Sequence, residues 1–339
     1  MKLKTTLVAS FLLLPLVVAS MQGWPSMTAF EWATEYGAKI RTTYVIVDDR
    51  GVPVPDAKVH IWLGLENHKD GGKVYYGYTD SDGRYVLDGK TTGLIRYWFI
   101  KDGYYKSEGE LHLEGAEDEQ NAVRDGRWQP YGQTQRVILK RIINPTVEQW
   151  HYGELIRPPR NIWVGLDLET LKFCPPHGSG AHADILLRHV TNLKEAGWRN
   201  LCGSLEISFT NQPYAGAYVL KKDEWSDFKS YYLADTNNTY GVRSFKYERA
   251  REPERILKYE EFPKDSYIVF RTRTKVDDRG NLLSAHYGKI YGPWGYGDTV
   301  RFESVLFNPI SNDPNLEESD TAACARLQIE GMRERGELK

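Results

Sequence analysis

The chain has 339 residues, and its 44 basic and 46 acidic side chains leave a formal net charge of -2. So weak a charge gives no bulk field that would recruit nucleic acid or an anionic membrane surface. Apolar residues make up 41% of the chain and charged residues 27%, a globular composition that excludes wholesale disorder. Aromatic residues reach 13%, and this excess favours β-structure.

Residues 1–20 have the pattern of a secretory signal peptide. Lys2 and Lys4 precede an apolar run over residues 7–19, and small residues follow at its end. This run is too short for a membrane-spanning helix, which needs about 20 apolar residues. No later stretch is long or apolar enough to cross a bilayer. We therefore expect a protein that is secreted, periplasmic or held in the cell envelope.

Residues 41–143 predict a first domain of short strands separated by turns. Residues 57–63 alternate in polarity, which places Lys58, His60 and Trp62 on the face opposite to the apolar residues Ala57, Val59, Ile61 and Leu63. The segment Asp80-Ser81-Asp82-Gly83 is a turn signal, and we expect a hairpin to close there. Seven such strands without a helical period predict an antiparallel β-sandwich.

The same region resembles the carboxypeptidase regulatory-like domains, which have transthyretin-like or prealbumin-like sandwiches. Residues 51–59, Gly-Val-Pro-Val-Pro-Asp-Ala-Lys-Val, match the opening motif G-x-P-[LV]-x-x-A-x-V of that family. Residues 79–85 match its T-D-x-x-G-x-[FY] motif, and residues 99–104 resemble its x-K-x-G-[YF] corner. The resemblance implies an accessory module in a secreted or envelope protein, with no catalytic residues of its own.

An acidic insertion over residues 114–131 departs from this family. It ends in Trp128, Pro130 and Tyr131, and the rings of Trp128 and Tyr131 are candidates for stacking on a sugar or on another chain. The alternative is a loop whose Trp folds back onto its own sandwich.

A proline-rich stretch over residues 144–160 predicts a short, stiff linker. Residues 161–318 again have strand patterns and predict a second, larger β-sandwich, with a jelly roll as one arrangement, so the fold class is all-β. Residues 266–274 alternate, which places Arg271 and Arg273 on one face, opposite Thr272 and Thr274. The only helix candidates are residues 190–196 and the tail from Ala322, which lies within a charged tail over residues 319–339.

Two segments of the second domain carry candidate ligand-binding groups. His177, His182 and Asp184 lie close together and are ligand types for Zn²⁺ or Fe²⁺, although their spacing matches no standard pattern and the Gly-Ser-Gly between them equally suits a solvated loop. Residues 289–298 are rich in rings and glycines, and their candidate sugar-stacking rings are Tyr291, Trp294 and Tyr296.

Three cysteines remain, Cys174, Cys202 and Cys324. In an oxidising compartment Cys174 and Cys202 are the candidate disulfide, since both lie in the second domain. Three buried thiols are the alternative.

No phosphate-binding loop, catalytic triad, kinase motif set or zincin helix occurs in the sequence. We therefore expect no cofactor and assign no catalytic residue. The favoured hypothesis is a non-catalytic secreted or envelope protein that binds a polysaccharide or another envelope protein. The alternative is a secreted carbohydrate-active or metal-dependent hydrolase with its site in the second domain.

Overall fold

The computed structural model describes residues 27–65, 71–115, 117–145, 149–152, 155–192, 202–237, 240–242, 244–252, 255–260, 265–292, 295–296 and 300–336. The chain is all-β, as predicted, with few helices. Residues 1–26, which include the signal-peptide pattern, lie outside the described residues. None of the described helices is long and apolar enough to cross a membrane.

The first sandwich contains seven strands of six or more residues, which agrees with the predicted number, and two short ones. One sheet has the order β4-β1-β8-β7 with β9 also on β1, and the other has the order β3-β2-β5-β6. The strands are β1 (Ala38–Asp48), β2 (Lys58–Gly64), β3 (Gly72–Tyr78), β4 (Arg84–Thr91), β5 (Leu94–Ile100), β6 (Ser107–His112), β7 (Val123–Arg124), β8 (Arg127–Trp128) and β9 (Gln133–Leu139). Pairing is antiparallel except for β1 with β8 and β9, which is parallel.

The core of the first sandwich uses the predicted apolar face of β2. Ala57, Val59, Ile61 and Leu63 are all fully buried. Helix α1 (Ala29–Tyr36) begins at a capping box formed by Thr28 and Glu31, and Phe30 and Ala33 of this helix join the core. The 3₁₀ turn at Leu113–Gly115 and helix α2 (Glu119–Ala122) follow β6.

The turn at residues 80–83 forms, but the hairpin expected there does not. The Asp80 carboxylate accepts the N–H groups of Asp82 and Arg84, and Gly83 has a positive φ of 69°. A Cβ on Gly83 would lie 2.4 Å from the carbonyl oxygen of Ile46, so glycine is required. Strand β3 then pairs with β2, and β4 pairs with β1 in the opposite sheet. The turn therefore joins two sheets.

The second sandwich has two main sheets, with the orders β10-β23-β20-β19-β16 and β13-β12-β14-β15-β17-β18, and a small sheet β11-β22-β21. In the first of these sheets only β19 and β20 are consecutive neighbours, and the chain passes from the second main sheet to the first at β16, back to the second at β17 and again to the first at β19. The strands are β10 (Gln149–Tyr152), β11 (Leu155–Ile156), β12 (Trp163–Asp167), β13 (Lys172–Phe173), β14 (Ile185–Asn192), β15 (Cys202–Phe209), β16 (Gly216–Lys221), β17 (Ser244–Glu252), β18 (Arg255–Glu260), β19 (Ser266–Val276), β20 (Leu282–Tyr291), β21 (Gly295–Tyr296), β22 (Val300–Arg301) and β23 (Ser304–Phe307).

Two boundary expectations differ from the structure, and the helix expected in the tail forms. Residues 144–160 contain strands β10 and β11, which join sheets of the second sandwich. Residues 190–192, expected as the start of a helix, belong to β14, while residues 193–196 lie outside the described part. The charged tail contains helix α3 (Ser319–Glu334), whose Ile329 and Met332 pack on Ile100 of the first sandwich.

The two sandwiches are joined at a buried carboxylate, Glu317. Its oxygens accept the hydroxyl of Tyr105 at 3.0 Å and the N–H groups of Ile143 and Asn144 at 2.7 and 2.6 Å. Burial and the negative charge of Glu317 raise the pKa of Tyr105 well above its usual range. Beside this pair, the ring of Tyr105 stacks on Phe228 of the second sandwich at a centroid distance of 5.0 Å.

We predict that Glu317→Ala lowers the free energy of unfolding by about 2–4 kcal/mol, because each buried donor left without a partner costs about 1–3 kcal/mol. Urea denaturation of the full chain measures this change. The control is Glu334→Ala, an exposed glutamate at the end of α3, which should stay within about 0.5 kcal/mol of the wild type. Equal effects of the two substitutions would contradict the assignment of Glu317 as the joint.

Candidate functional site

A cleft with a volume of about 710 Å³ lies between the two sandwiches. This volume lies within the range of about 300–1,000 Å³ that is typical of small-ligand sites. The first sandwich contributes three residues, and the segment between β16 and β17 contributes most of the others. The lining residues are Asp49, Ile138, Lys140, Lys221, Lys222, Asp223, Glu224, Trp225, Lys229, Ser230, Tyr231, Tyr232 and Asp265.

The segment between β16 and β17 is held against the first sandwich by backbone contacts to β6. Ser226 forms a β-bridge with Ser107. The N–H of Glu108 donates to the carbonyl of Trp225 at 2.9 Å, and the N–H of Asp227 donates to the carbonyl of Lys106 at 3.0 Å. The cleft therefore exists only when both sandwiches are docked.

Lys140 of the first sandwich lines the side of the cleft that faces the segment between β16 and β17. Its ammonium group donates to the carbonyls of Phe228 and Ser230 at 2.8 and 3.2 Å and pairs with Asp223 at 3.0 Å. Burial lowers the pKa of Lys140 below its usual value, although the charge of Asp223 opposes the shift. Lys140 thus ties the segment that carries the cleft wall to the first sandwich.

Two aromatic side chains stand in the cleft and remain open to solvent. Trp225 is 50% exposed and Tyr231 is 65% exposed. Their backbone is fixed nearby, because the N–H of Tyr231 donates to the hydroxyl of Tyr267 at 3.0 Å and the hydroxyl of Tyr232 donates to the carbonyl of Arg141 at 2.7 Å. Large rings held at the surface by an ordered backbone are suited to contact a ligand.

The charges that line the cleft balance each other. Four lysines and four acids line it, and the closest pairs are Lys140 with Asp223 and, at 3.8 Å, Lys221 with Asp265. Lys222 pairs with Glu303 at 2.8 Å. A cleft with no net charge exerts no strong field on an ion, so it is suited to a polar, uncharged ligand.

Behind the cleft wall, Lys289 anchors Ser230. The buried ammonium group of Lys289 pairs with Glu318 at 2.6 Å and donates to the Ser230 hydroxyl and the Leu316 carbonyl, each at 2.7 Å. The ring of Tyr291 lies under the ammonium groups of Lys289 and Lys222. Tyr291, predicted as a sugar-stacking ring, is therefore buried, and burial raises the pKa of its hydroxyl well above the usual range.

The other predicted rings of the second sandwich are only partly described. Trp294 lies outside the described residues. The backbone of Tyr296 is part of β21 and pairs with Val300, but its side chain is not among the described groups. The proposed aromatic surface at residues 291–296 therefore has no described exposed ring.

In the first sandwich, Trp128 of the acidic insertion folds back into the core of its own sandwich, which is the alternative to a ligand-stacking ring. It is 1% exposed, its indole N–H donates to the carbonyl of Thr91 at 2.9 Å, and its ring packs edge-on against Phe30. Tyr131 is half-buried under the guanidinium of Arg127. Trp128 is thus a core residue and not a ligand-stacking one.

The predicted metal ligands do not converge. His177 and His182 are exposed, whereas Asp184 is 1% exposed and faces the interior of the second sandwich. Within the described ranges, no group of three or more His, Cys, Asp or Glu side chains is placed to hold a metal ion. Asp184 is engaged by protein groups, because it accepts the N–H of Leu168 and the hydroxyl of Thr272.

Asp184 belongs to a carboxylate cluster around Arg273. The guanidinium of Arg273 contacts Asp184 and Asp167 at 3.0 Å and Glu169 at 2.5 Å, and it lies 4.3 Å over the ring of Phe307. Asp167 also accepts the N–H groups of Ala181 and His182, and these bonds hold the loop over residues 175–184 in place. The loop is therefore held by the backbone N–H groups of Ala181 and His182, whereas the imidazoles of His177 and His182 remain exposed.

The expectation that Arg271 and Arg273 share a face is wrong. The pairing of β19 with β20 shifts register between Thr272 and Lys275, and Arg273 has a positive φ of 51°. After this bulge, Arg273 joins Thr272 at Asp184, whereas Arg271 bonds the carbonyls of Tyr214 and Thr236 on the other side. A bulge adds a residue and reverses the alternation beyond it.

The predicted disulfide is not formed, since Cys174 is a free thiol. The N–H of Cys174 donates to Gly165, which pairs with Leu186 of β14, whereas Cys202 pairs with Asn192 at the far end of that strand. Six residues along a strand span about 20 Å, and a disulfide needs Cα atoms within about 7 Å. Cys324 is an exposed free thiol on α3.

Trp225 and Tyr231 are not among the ligand candidates predicted from the sequence. They lie in the segment Asp-Glu-Trp-Ser-Asp-Phe-Lys-Ser-Tyr-Tyr, residues 223–232, which has no strand alternation and flanks each exposed ring with charged or polar residues. Phe228 in the same segment also has charged neighbours and is fully buried, so this pattern does not single out the two exposed rings.

No protein-family model matches the chain, and no curated relative matches it. Among solved structures, 3-chlorocatechol 1,2-dioxygenase of Rhodococcus opacus is 17% identical over 32% of this chain and 62% of its own, with a TM-score of 0.25. Catechol 1,2-dioxygenase of Acinetobacter radioresistens is also 17% identical, over 33% of this chain and 54% of its own, again at 0.25. The chain spans less than two thirds of these proteins, and likeness at this level supports no inference about activity.

We predict that Arg273→Met lowers the free energy of unfolding by about 3–5 kcal/mol at neutral pH, because it leaves buried carboxylates uncompensated. Burial acts to raise the pKa of Asp167, but the N–H groups of His182 and Ala181 and the guanidinium of Arg273 hold it below its usual value. In the wild type, the stability from Asp167 is present above its unfolded pKa and is lost as pH falls through its lower folded pKa.

Without the guanidinium the pKa of Asp167 rises, so this carboxylate is protonated at a higher pH in the variant than in the wild type. Protonation removes the uncompensated buried charge. The difference in stability should therefore shrink below about pH 4, near the unfolded pKa of aspartate. Urea titrations at a series of pH values measure it, with Arg279→Met in an exposed turn as the control. A pH-independent difference would contradict the assignment.

We predict that Trp128→Ala lowers the free energy of unfolding by about 3–5 kcal/mol, the typical cost of a large cavity in a core. Tyr131→Ala, in the same loop, should cost no more than about 1 kcal/mol, because its ring contacts Arg127 at the surface. Thermal and urea unfolding distinguish the two. An unchanged free energy of unfolding in Trp128→Ala would contradict the burial of this ring in the core.

Proposed function

We propose that this chain is a secreted or envelope-associated binding protein, without catalysis of its own, that holds an uncharged carbohydrate in the cleft between its two sandwiches. The observation that carries the proposal is the pair of exposed rings, Trp225 and Tyr231, in a cleft of about 710 Å³ whose lining charges balance.

The chemistry of the lining supports a carbohydrate. One face of a sugar ring presents C–H groups, which pack against an aromatic ring, while its hydroxyls need donors and acceptors around the rim. Lys221, Asp265 and Glu224 supply both kinds of group within the same cleft as Trp225 and Tyr231. Because the polar groups are arranged in near pairs, a neutral ligand can bond to them without leaving a charge unbalanced.

The arrangement of the second sandwich favours binding over the alternative of a metal-dependent hydrolase. His177 and His182 point to solvent, and Asp184 is committed to Arg273, Thr272 and Leu168. The signal-peptide pattern over residues 1–20 and the resemblance of residues 41–143 to accessory modules of exported proteins support a place in the envelope or outside the cell.

The test begins with a glycan array that contains neutral and acidic oligosaccharides, followed by calorimetric titration of the glycans retained. We predict that Trp225→Ala and Tyr231→Ala each weaken binding of a neutral oligosaccharide about tenfold, the effect of losing a central ring contact. Trp32→Ala is the matched control, because Trp32 is 54% exposed on α1 and does not line the cleft.

Binding should also be nearly independent of salt over about a tenfold range of concentration, since an uncharged ligand has no ionic attraction to screen. Retention of no glycan, or equal weakening by Trp32→Ala, would refute the proposal. Preference for acidic glycans with a steep salt dependence would contradict the neutral ligand class.

A further inference from the structure

Basic side chains are concentrated on the outer face of the sheet formed by β4, β1, β8, β7 and β9. At the start of β1 the residues alternate, so that Ile40, Thr42 and Tyr44 are buried while Lys39 and Arg41 are exposed. The register of the neighbouring strands sets their outward residues beside these two. The exposed cations at outward positions, which define the basic face, are Lys39, Arg41, Arg84, Lys90, Arg124, Arg127 and Arg136, and the acid at such a position is Asp88.

Four of these cations form one row across four adjacent strands. Lys39 of β1 is the register partner of Lys90 on β4 and of Arg127 on β8, and Arg127 is the partner of Arg124 on β7. Neighbouring strands lie about 4.8 Å apart, so the row is about 15 Å long. Like charges that stand directly opposite each other destabilise a sheet, and a bound anion offsets this repulsion.

A second row lies further along the same strands. Val45 of β1 has Arg84 of β4 and Arg136 of β9 as its register partners. The six residues from Lys39 to Val45 span about 20 Å. Between the two rows, Val86 is 49% exposed. The basic face is therefore two-dimensional, about 20 Å along the strands and about 15 Å across them.

The positive charge of the basic face is not cancelled locally. Among the described residues, none of its seven cations forms an ion pair. The turn after β1 contains Asp48 and Asp49, but both pair with Arg141. Six excess positive charges on this face leave a net charge of -8 for the rest of a chain whose total is -2. The weak net charge of the sequence thus conceals a strongly basic surface.

The distribution of the cations indicates what binds there. A linear polyanion follows one row, whereas a planar anionic surface lies opposite both rows at once. The centres of protein–protein interfaces are depleted in charged residues and in lysine, which does not suit this face. Five of the seven cations are arginines, whose guanidinium groups form paired hydrogen bonds with phosphate. Clusters of about four to eight Lys and Arg side chains are typical of surfaces that contact anionic lipid headgroups.

We propose that the basic face docks the protein on an anionic phospholipid membrane, with the sheet lying along the membrane surface. This inference goes beyond the proposed carbohydrate binding and rests on a different surface. The basic face reaches the cleft at Ile138, which lies two residues after Arg136 on the same side of β9 and lines the cleft. A docked protein therefore has its cleft beside the membrane contact.

The experiment is co-sedimentation of the mature chain, without residues 1–20, with two kinds of vesicle. One contains equal parts of phosphatidylglycerol and phosphatidylcholine, and the other contains phosphatidylcholine alone. Two double variants each remove two positive charges from one part of the basic face, namely Lys39→Gln with Arg41→Gln, and Arg84→Gln with Arg136→Gln. All four side chains are exposed, so the fold should persist, and circular dichroism verifies this.

The matched control is Arg279→Gln with Arg326→Gln, which removes two exposed positive charges from the β19–β20 turn and from α3. We expect the wild type and the control to bind the anionic vesicles and not the neutral ones. Each basic-face variant should bind the anionic vesicles at least tenfold more weakly, because every cation near such a surface adds several-fold to the affinity. Binding should also fall steeply as the salt concentration rises.

Three results would overturn this inference directly: no binding to anionic vesicles, equal binding to both kinds of vesicle, or equal weakening by the control variant. Alginate is the soluble linear polyanion for comparison. Tighter binding of alginate than of vesicles, lost in the same variants, overturns the inference in favour of an acidic polysaccharide. Concentration-dependent self-association that the basic-face variants abolish overturns it in favour of a second copy of the chain.

The same variants separate this inference from the proposed function. Trp225→Ala should leave vesicle binding unchanged, and the basic-face variants should leave binding of a neutral oligosaccharide in the cleft unchanged. Loss of vesicle binding in Trp225→Ala would contradict docking through the basic face. Failure of the wild type to bind any glycan would refute the proposed function and leave the membrane contact standing.

Discussion

The buried carboxylate of Glu317 is the interaction on which the arrangement of the molecule depends. It lies just before α3 and accepts three hydrogen bonds, from the hydroxyl of Tyr105 and the N–H groups of Ile143 and Asn144. A buried charge is tolerated only when its oxygens are satisfied, so these donors must be held in place together. The next residue, Glu318, neutralises the buried ammonium of Lys289. Two adjacent acids thereby connect the first sandwich, the second sandwich and the last helix.

The cleft is a consequence of that joint. The segment between β16 and β17 contacts the first sandwich at Ser226, and Lys140 of the first sandwich donates to the carbonyl of Ser230 in that segment. The hydroxyl of Ser230 accepts a hydrogen bond from Lys289. A pocket built from two docked units is sensitive to their relative position, because a small rotation separates its lining groups. The polar pairs at the joint therefore do more than stabilise the fold, since they set the distance between the first sandwich and the segment that carries Trp225 and Tyr231.

Local pattern predicted most strands, because alternation reports which side chains share a face. It did not predict what covers that face. Trp128 has the same neighbours in sequence as an exposed loop ring, yet Thr91 and Phe30 close over it, and these partners come from distant parts of the chain. Arg273 shows a second limit. One extra residue at a bulge reverses the alternation, and the sequence of residues 266–274 does not indicate where this bulge occurs. The turn at residues 80–83 likewise has the local chemistry of a hairpin, while strand pairing across the sandwich decides that it joins two sheets.

The aromatic excess of the composition has two physical origins in the structure. Rings such as Tyr44, Phe99 and Tyr105 are fully buried and fill the cores and the joint. A smaller set remains exposed, namely Trp32, Tyr36, Tyr76, Trp163, Tyr214, Trp225 and Tyr231, and core packing does not account for these rings. Exposing a large ring forgoes about 1.5–3 kcal/mol of hydrophobic stabilisation, so each such ring lowers the stability that the folded chain could reach. Under the proposed function, contact with a carbohydrate offsets this loss at Trp225 and Tyr231.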